Sequence, residues 1–324
     1  LNKIPIYKEK IMSKVAFIFA GQGAQYVGMG KDLAENIGVC RDVFKEADSA
    51  LDLPISRLCF EGPKEELDKT ENTQPAILTA SIAALKALEQ KGVKPDVVAG
   101  LSLGEYSALV SSGTLKFSDA VKLVKKRGKF MQEAVPAGVG TMAAILGLGA
   151  DEVKTACKEA CEFGIVEPAN FNCPGQIVIG GEVEAVRVAS EKARERGAKV
   201  MPLSVSAPFH TSMLKLAARK LEEELKSVEF IDIKVPVITN VTGDYVNEAG
   251  SIKELLKKQV MSSVLWENSV RKMLEDGVDT FVELGPGKVL SGFVKKIDRK
   301  VTVVNVEDMK SLEKALEILS SQER

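Results

Sequence analysis

The pattern with the clearest chemistry is Gly100-Leu101-Ser102-Leu103-Gly104, a G-x-S-x-G sequence. It follows the short apolar run Asp96–Gly100 and precedes LGEYSALVSSG, whose spacing predicts a helix. At a sharp strand-to-helix turn a serine hydroxyl is pushed outward, and flanking glycines permit the turn. The helix N-terminus and the backbone N–H of Leu103 would stabilise an oxyanion developing on an attacked carbonyl. The competing reading is a tight turn of purely structural use.

A serine nucleophile needs a base, usually histidine. The chain holds one histidine, His210, so an imidazole supplied by the same chain must be this one. A lone histidine is more often structural than catalytic, but pairing with an elbow serine reverses that weighting. Its setting, SAPFHTSM, reads as a loop opening a helix. The orienting partner stays open. Asp232, Asp244 and Asp279 follow in chain order without a supporting motif. A backbone or amide carbonyl would serve equally as acceptor for the second ring N–H.

The elements that must position these residues alternate. Short apolar runs and helical patterns succeed one another, which predicts an α/β fold with a largely parallel sheet. Val15–Ala20 is apolar on both faces, as in a strand buried between helical layers. TQPAILTASIAALKALEQKG reads as a helix with Thr73 as cap, Pro75 in the first turn and Gly92 as its close. A further helix opens at Ser118 and ends near Pro136. Between about residues 138 and 203 the order is strand, helix, strand, strand, helix, strand, that of a ferredoxin-like unit. The expected organisation is therefore an extension over 1–11, a large subdomain over 12–137 and 204–324, and an inserted small subdomain over 138–203. Residues 1–11 lack a long apolar core, so they are read as an upstream extension or expression remnant rather than a secretion signal.

Composition narrows the function. A length of 324 residues suits one large domain or two smaller ones. The formal net charge of −1 argues against a nucleic-acid binder on global grounds. No apolar run reaches the length of a membrane span. The cysteines Cys40, Cys59, Cys157, Cys161 and Cys173 form no C-x-x-C pair, which fits reduced thiols in a cytoplasmic protein. Cys157 and Cys161, four apart on an expected helix, could face one metal, but no second ligand pair lies nearby; buried thiols are the preferred reading. GQGAQYVG lacks the third glycine of a dinucleotide fingerprint, and Gly285-Pro286-Gly287 lacks the rest of a phosphate-binding loop.

Six segments in this order carry a family resemblance: AFIFAGQGAQYVGMG, GLSLGEYSALV, KLVKKRGKFMQEAVP, FNCPGQIVIGG, SAPFHTSM and ELGPGKVLSGF. Together they resemble the malonyl-CoA:acyl carrier protein transacylases from about Val15 to Lys296. The resemblance implies an α/β-hydrolase-like core with a ferredoxin-like insertion, in agreement with the element order. It implies that Ser102 is acylated and that His210 is its base. Arg127 would hold the malonyl carboxylate, and the Gln22 backbone N–H would join that of Leu103 in the oxyanion hole. Gln259 resembles the family glutamine whose backbone carbonyl orients the histidine. Taken alone, Arg127 is one cation among Lys122, Lys125, Lys126 and Lys129, the ordinary sign of a solvated helix face. Phe209 stands where related acyltransferases that take malonyl have phenylalanine, and would narrow the pocket beside the acyl C2. The family often has histidine where this chain has Leu101; the serine and both glycines remain.

The implied activity is ping-pong transfer of malonyl from malonyl-CoA to the phosphopantetheine thiol of holo acyl carrier protein, feeding fatty acid elongation. No metal or other cofactor is expected, and the enzyme is expected to act as a monomer. Carrier proteins of this kind are acidic, so the Lys122–Lys129 helix and Lys295–Lys296 are candidate docking sites, although charge runs are usually solvated faces. A thioesterase would use the same elbow with water as acceptor. A non-catalytic carrier-binding subunit would lack the nucleophile or base, whereas a trans-acting polyketide acyltransferase would keep both.

Overall fold

A computed structural model describes residues 13–205 and 207–322. The expected extension over 1–11 lies outside the described residues. Nine strands occur among them: β1 (Lys14–Phe19), β2 (Val97–Gly100), β3 (Gly140–Leu146), β4 (Val166–Cys173), β5 (Gln176–Glu182), β6 (Lys199–Pro202), β7 (Val237–Ile238), β8 (Val278–Leu284) and β9 (Thr302–Val306).

They form two sheets. The first has the order β7-β2-β1-β8-β9, and every pairing in it is parallel. Its central strands are apolar on both faces because helices cover both sides. From β1, Phe17 and Phe19 enter one core cluster, while Ala16 and Ile18 enter another. The second sheet has the order β4-β5-β3-β6, antiparallel throughout. With the helices Ala150–Glu159 and Val183–Glu195 between its strands, it is the ferredoxin-like arrangement expected from the sequence. The α/β-hydrolase-like core with a small antiparallel sheet is therefore borne out.

Two local expectations need correction. The long helix runs Thr70–Gln90, so Thr73 lies inside it and Lys69 takes the cap position. Thr73 Oγ1 instead donates backward to the carbonyls of Leu67 at 2.5 Å and Lys69 at 3.1 Å. Pro75 falls beyond the first turn, where its missing N–H leaves the Glu71 carbonyl without its usual helical donor. The second correction concerns the cysteines. Cys157 is buried on the helix Ala150–Glu159, whereas Cys161 falls in the short turn after it and is exposed.

The sheet sets the site directly. In parallel α/β sheets, ligands gather beyond the carboxyl ends of the strands. β1 and β2 are neighbours in register, so Gln22, just past β1, and Ser102, just past β2, emerge side by side. The turn at Ser102 is compressed. A Cβ on Gly100 would sit 1.9 Å from the Gly104 carbonyl carbon, and one on Gly104 would sit 2.1 Å from the Phe19 carbonyl oxygen. Both neighbours are backbone and cannot swing aside. Gly100→Ala or Gly104→Ala is expected to lose about 3 kcal/mol or more of stability, the upper end for overpacking. The loss should appear in thermal unfolding as a fall in Tm of roughly 6 °C or more.

Candidate active site

The turn puts Ser102 in the left-handed region, with φ of 53°. A side-chain-bearing residue held there is strained, and such strain gathers at functional sites. His210 shares the feature, with φ of 61°. Both residues are buried, yet both line one cavity of about 630 Å³ that opens between the two sheets. Gln22, Thr70, Met131, Met142 and Phe209 also line it.

Ser102 Oγ lies 2.7 Å from His210 Nε2, and His210 Nδ1 lies 2.8 Å from the backbone carbonyl of Gln259. A carbonyl only accepts, so Nδ1 carries the proton and Nε2 is the acceptor for the serine hydroxyl. Of the acceptors left open by the residues alone, three aspartates or a carbonyl, the one in contact with the ring is the Gln259 backbone carbonyl that the resemblance implied. Asp244 and Asp279 are engaged elsewhere, by the Tyr245 N–H and the Ser13 hydroxyl. Burial, and then the Arg127 charge, push the His210 imidazole down to about 4. The ring is neutral at neutral pH, the state a general base requires.

Arg127 does not lie on a solvated face. Lys122, Lys126 and Lys129 of the same helix are exposed, while Arg127 is 1% exposed. Its Nη1 donates to Gln74 Oε1 at 2.8 Å, and its Nη2 donates to Gln259 Oε1 at 3.0 Å and Ser102 Oγ at 3.1 Å. The guanidinium also lies over the Tyr106 ring, 5.4 Å from its centre. All three acceptors are uncharged. A buried cation whose hydrogen bonds among the described residues go only to uncharged oxygens, one of them the Ser102 hydroxyl, is suited to receive an anion. Burial lowers its pKa from the ordinary arginine value, although a guanidinium remains charged at any working pH.

Gln22 and Leu103 supply the backbone. The side chain of Gln22 is tied to the helix Thr70–Gln90: its Nε2 donates to Thr70 Oγ1 at 3.3 Å, and its Oε1 accepts from Gln74 Nε2 at 3.5 Å. Its own N–H and that of Leu103 have no acceptor among the described residues. Two amides without an acceptor among the described residues, beside the Ser102 hydroxyl, match the demands of an oxyanion hole. Phe209, 8% exposed, forms part of the cavity wall.

Residues 16–315 match the acyl transferase domain model. The chain belongs to the acyl transferase family. It is 51% identical over 313 residues to the malonyl CoA-acyl carrier protein transacylase of Bacillus subtilis, covering 96% of this chain and 99% of that relative. Among solved structures it is similar to the malonyl CoA-acyl carrier protein transacylase of Clostridium perfringens, with TM-score 0.94, 53% identity, and coverage of 96% and 98% of the two chains. It is also similar to a malonyl-transacylase solved in complex with its type II PKS acyl-carrier protein, with TM-score 0.92, 44% identity, and coverage of 94% and 100%. The resemblance carried by the six segments is borne out, and the protein is an acyltransferase.

The structure also brings in residues the sequence did not single out. Asn240 Oδ1 accepts the Ser102 N–H at 2.6 Å, and its Nδ2 donates to the Gly100 carbonyl at 2.7 Å. Gln74 and Tyr106 hold Arg127. Asn240 ends the apolar run VPVITN, and Gln74 sits early in a buried helix. The one available signal was a polar residue in apolar surroundings, which is weak evidence alone.

Free-enzyme reactivity toward an uncharged fluorophosphonate should be flat at neutral pH and fall on acidification through an inflection near 4, where His210 protonates. Removing the cation with Arg127→Met should move that inflection upward. The sign for stability follows the same shift. The unfolded imidazole takes up a proton below about 6.5 but the folded one only near 4, so His210 withdraws stability as pH falls between those values. No inflection between pH 3.5 and 6 would contradict this assignment of the base.

Proposed function

We propose that this acyltransferase moves malonyl from malonyl-CoA to the phosphopantetheine thiol of an acyl carrier protein, as in fatty acid synthesis, through a malonyl-serine ester on Ser102. The reading rests on one observation above the others: the Ser102–His210 pair lies beside a buried arginine whose hydrogen bonds, among the described residues, go only to uncharged oxygens. A simple ester or thioester carries no charge to occupy such a position. A malonyl thioester carries a carboxylate two bonds from the reacting carbonyl.

In the first half-reaction the Ser102 proton passes to His210 Nε2 as the oxygen attacks the thioester carbonyl. The carbonyl oxygen takes up negative charge against the N–H groups of Gln22 and Leu103. Collapse breaks the carbon–sulfur bond, and the leaving sulfur takes the proton from His210. The second half-reaction reverses the roles: the carrier thiol gives its proton to His210, attacks the ester, and Ser102 leaves with that proton. The Gln259 carbonyl keeps the imidazole in the tautomer both halves need. The Arg127 fork pairs the malonyl carboxylate throughout. Phe209 limits space beside the acyl C2, a selectivity worth roughly 1–3 kcal/mol per methyl-sized difference.

We also propose the division of the chain into 12–137 with 204–324 as one subdomain and 138–203 as the other, with the acyl chain bound between them. Met142 and Val178 from the second sheet and Met131 and Phe209 from the first subdomain share the cavity wall. Among the described residues no helix is long and apolar enough to cross a membrane.

Intact-protein mass spectrometry after brief exposure to malonyl-CoA should show a malonyl adduct that is absent in Ser102→Ala and is discharged by added holo carrier protein. Steady release of malonate without carrier loading would instead show hydrolysis. Arg127→Ala should lower kcat/KM for malonyl-CoA by roughly a hundredfold to several thousandfold, as expected when a buried charge loses its partner at roughly 3–5 kcal/mol. The loss should be clearly smaller for acetyl-CoA. Equal losses for the two thioesters would remove Arg127 from carboxylate recognition.

A further inference from the structure

The strained backbone of Ser102 is held by side chains from two distant parts of the chain. Asn240 takes its N–H, and Gln259 Nε2 donates to its carbonyl at 2.9 Å. These two side-chain grips are not independent, because both residues converge on one oxygen. Glu105 Oε2 accepts from the Asn240 backbone N–H at 2.8 Å and from Gln259 Nε2 at 3.0 Å. Glu105 lies in the first turn of the helix Gly104–Ser111 and is 1% exposed. It makes no salt bridge to Arg127; the link between them runs through Gln259, whose Oε1 accepts from Arg127. Gln259 also carries the carbonyl that holds His210 Nδ1. A single carboxylate oxygen therefore ties together the elbow, the imidazole support and the segment after β7.

We propose that Glu105 is a positioning residue for acyl transfer: acting through Asn240 and Gln259, it holds Ser102 in its left-handed conformation and in register with His210. The proposal rests on the reading of Ser102 and His210 as nucleophile and base. What it requires of Glu105 is a fixed acceptor oxygen and not a charge. Burial pushes the Glu105 carboxyl up, to about 7, against the opposing pull of the two hydrogen bonds and the Arg127 charge. A proton on Oε1 leaves Oε2 free to accept both bonds, so either protonation state performs the role. The alternative, a countercharge for Arg127, would need the ionised form.

The two differ in the outcome for E105Q, which keeps an acceptor oxygen and removes the charge. The measurement is the rate of Ser102 capture by an uncharged fluorophosphonate, alongside acylation by malonyl-CoA, for wild type, E105Q, E105L, N240A, E105L/N240A and S102A. E105L should slow both reactions at least ~30-fold, the scale of effect expected when reacting groups are misplaced by a fraction of an ångström to an ångström. Its KM for malonyl-CoA should change less than about twofold, because Arg127 keeps its bond to Gln74 and its place over the Tyr106 ring. E105Q should remain within about threefold of wild type, and E105L/N240A should be no slower than the slower single variant, as for residues acting in one chain of contacts. E105L with wild-type capture rates, or E105Q as slow as E105L, would overturn the proposal. Should E105L not fold, E105Q and N240A decide: a fast E105Q with a slow N240A supports it, and any other combination overturns it. Capture by S102A would sink the nucleophile reading itself, whereas an inert S102A beside a fully active E105L would sink only the role of Glu105.

Discussion

Arg127 is a full positive charge in the interior, hydrogen-bonded only to uncharged oxygens among the described residues. Taking an ion out of water costs several kcal/mol even after the protein relaxes around it. The fold meets part of that cost with the amide oxygens of Gln74 and Gln259 and the face of the Tyr106 ring. The remainder would favour an anion beside the Ser102 hydroxyl, to which Arg127 Nη2 donates. The same charge reaches the neighbouring imidazole and, after burial, is the second reason His210 stays neutral. One buried cation thus bears both on the proposed substrate carboxylate and on the protonation state of the proposed base.

That arrangement depends on a turn with no spare volume. Gly100 packs so closely against Gly104, and Gly104 against the end of β1, that only hydrogen can stand at the two glycine positions. Ser102 and His210 both adopt a conformation that side-chain-bearing residues avoid. Neither would persist without restraint from its surroundings. For Ser102 the restraint comes from Asn240 and Gln259; for His210 it comes through the ring, held by Gln259 O. Gln259 therefore serves through its backbone and its side chain at once, a doubling that is possible because it lies on the buried face of a helix's last turn, where carbonyls have no helical donor.

The second sheet completes the site rather than merely roofing it. β4 forms a parallel bridge between Asn170 and Val264, a few residues beyond Gln259. Glu167 of the same strand accepts the Ser212 N–H at 2.7 Å and the Ser212 hydroxyl at 2.8 Å, just past His210. The segments carrying the imidazole and its acceptor are thus both fastened to β4. Closing the cavity and orienting the proposed base are two consequences of the same packing.

The sequence by itself was enough for the alternation of strands and helices, the ferredoxin-like order, the elbow serine and the lone histidine. These are local properties: periodicity, turn chemistry and counting need no knowledge of what lies across the fold. It placed Thr73 and Pro75 wrongly because the start of a buried helix is decided by the packing of its neighbours and not by the nearest cap-forming residue. Resemblance supplied Arg127, Gln22, Gln259 and Phe209, whose composition and spacing alone pointed nowhere. Composition and spacing could not tell which of five cations on one helix turns inward, nor whether a carbonyl or an aspartate meets the imidazole; the tertiary structure shows Arg127 and the Gln259 carbonyl there. It alone joined Asn240, Gln259 and Glu105 to the elbow, from up to 157 positions away. Hydrogen bonds between residues so far apart in the chain leave no trace in spacing, since their geometry exists only once the sheets and helices have packed.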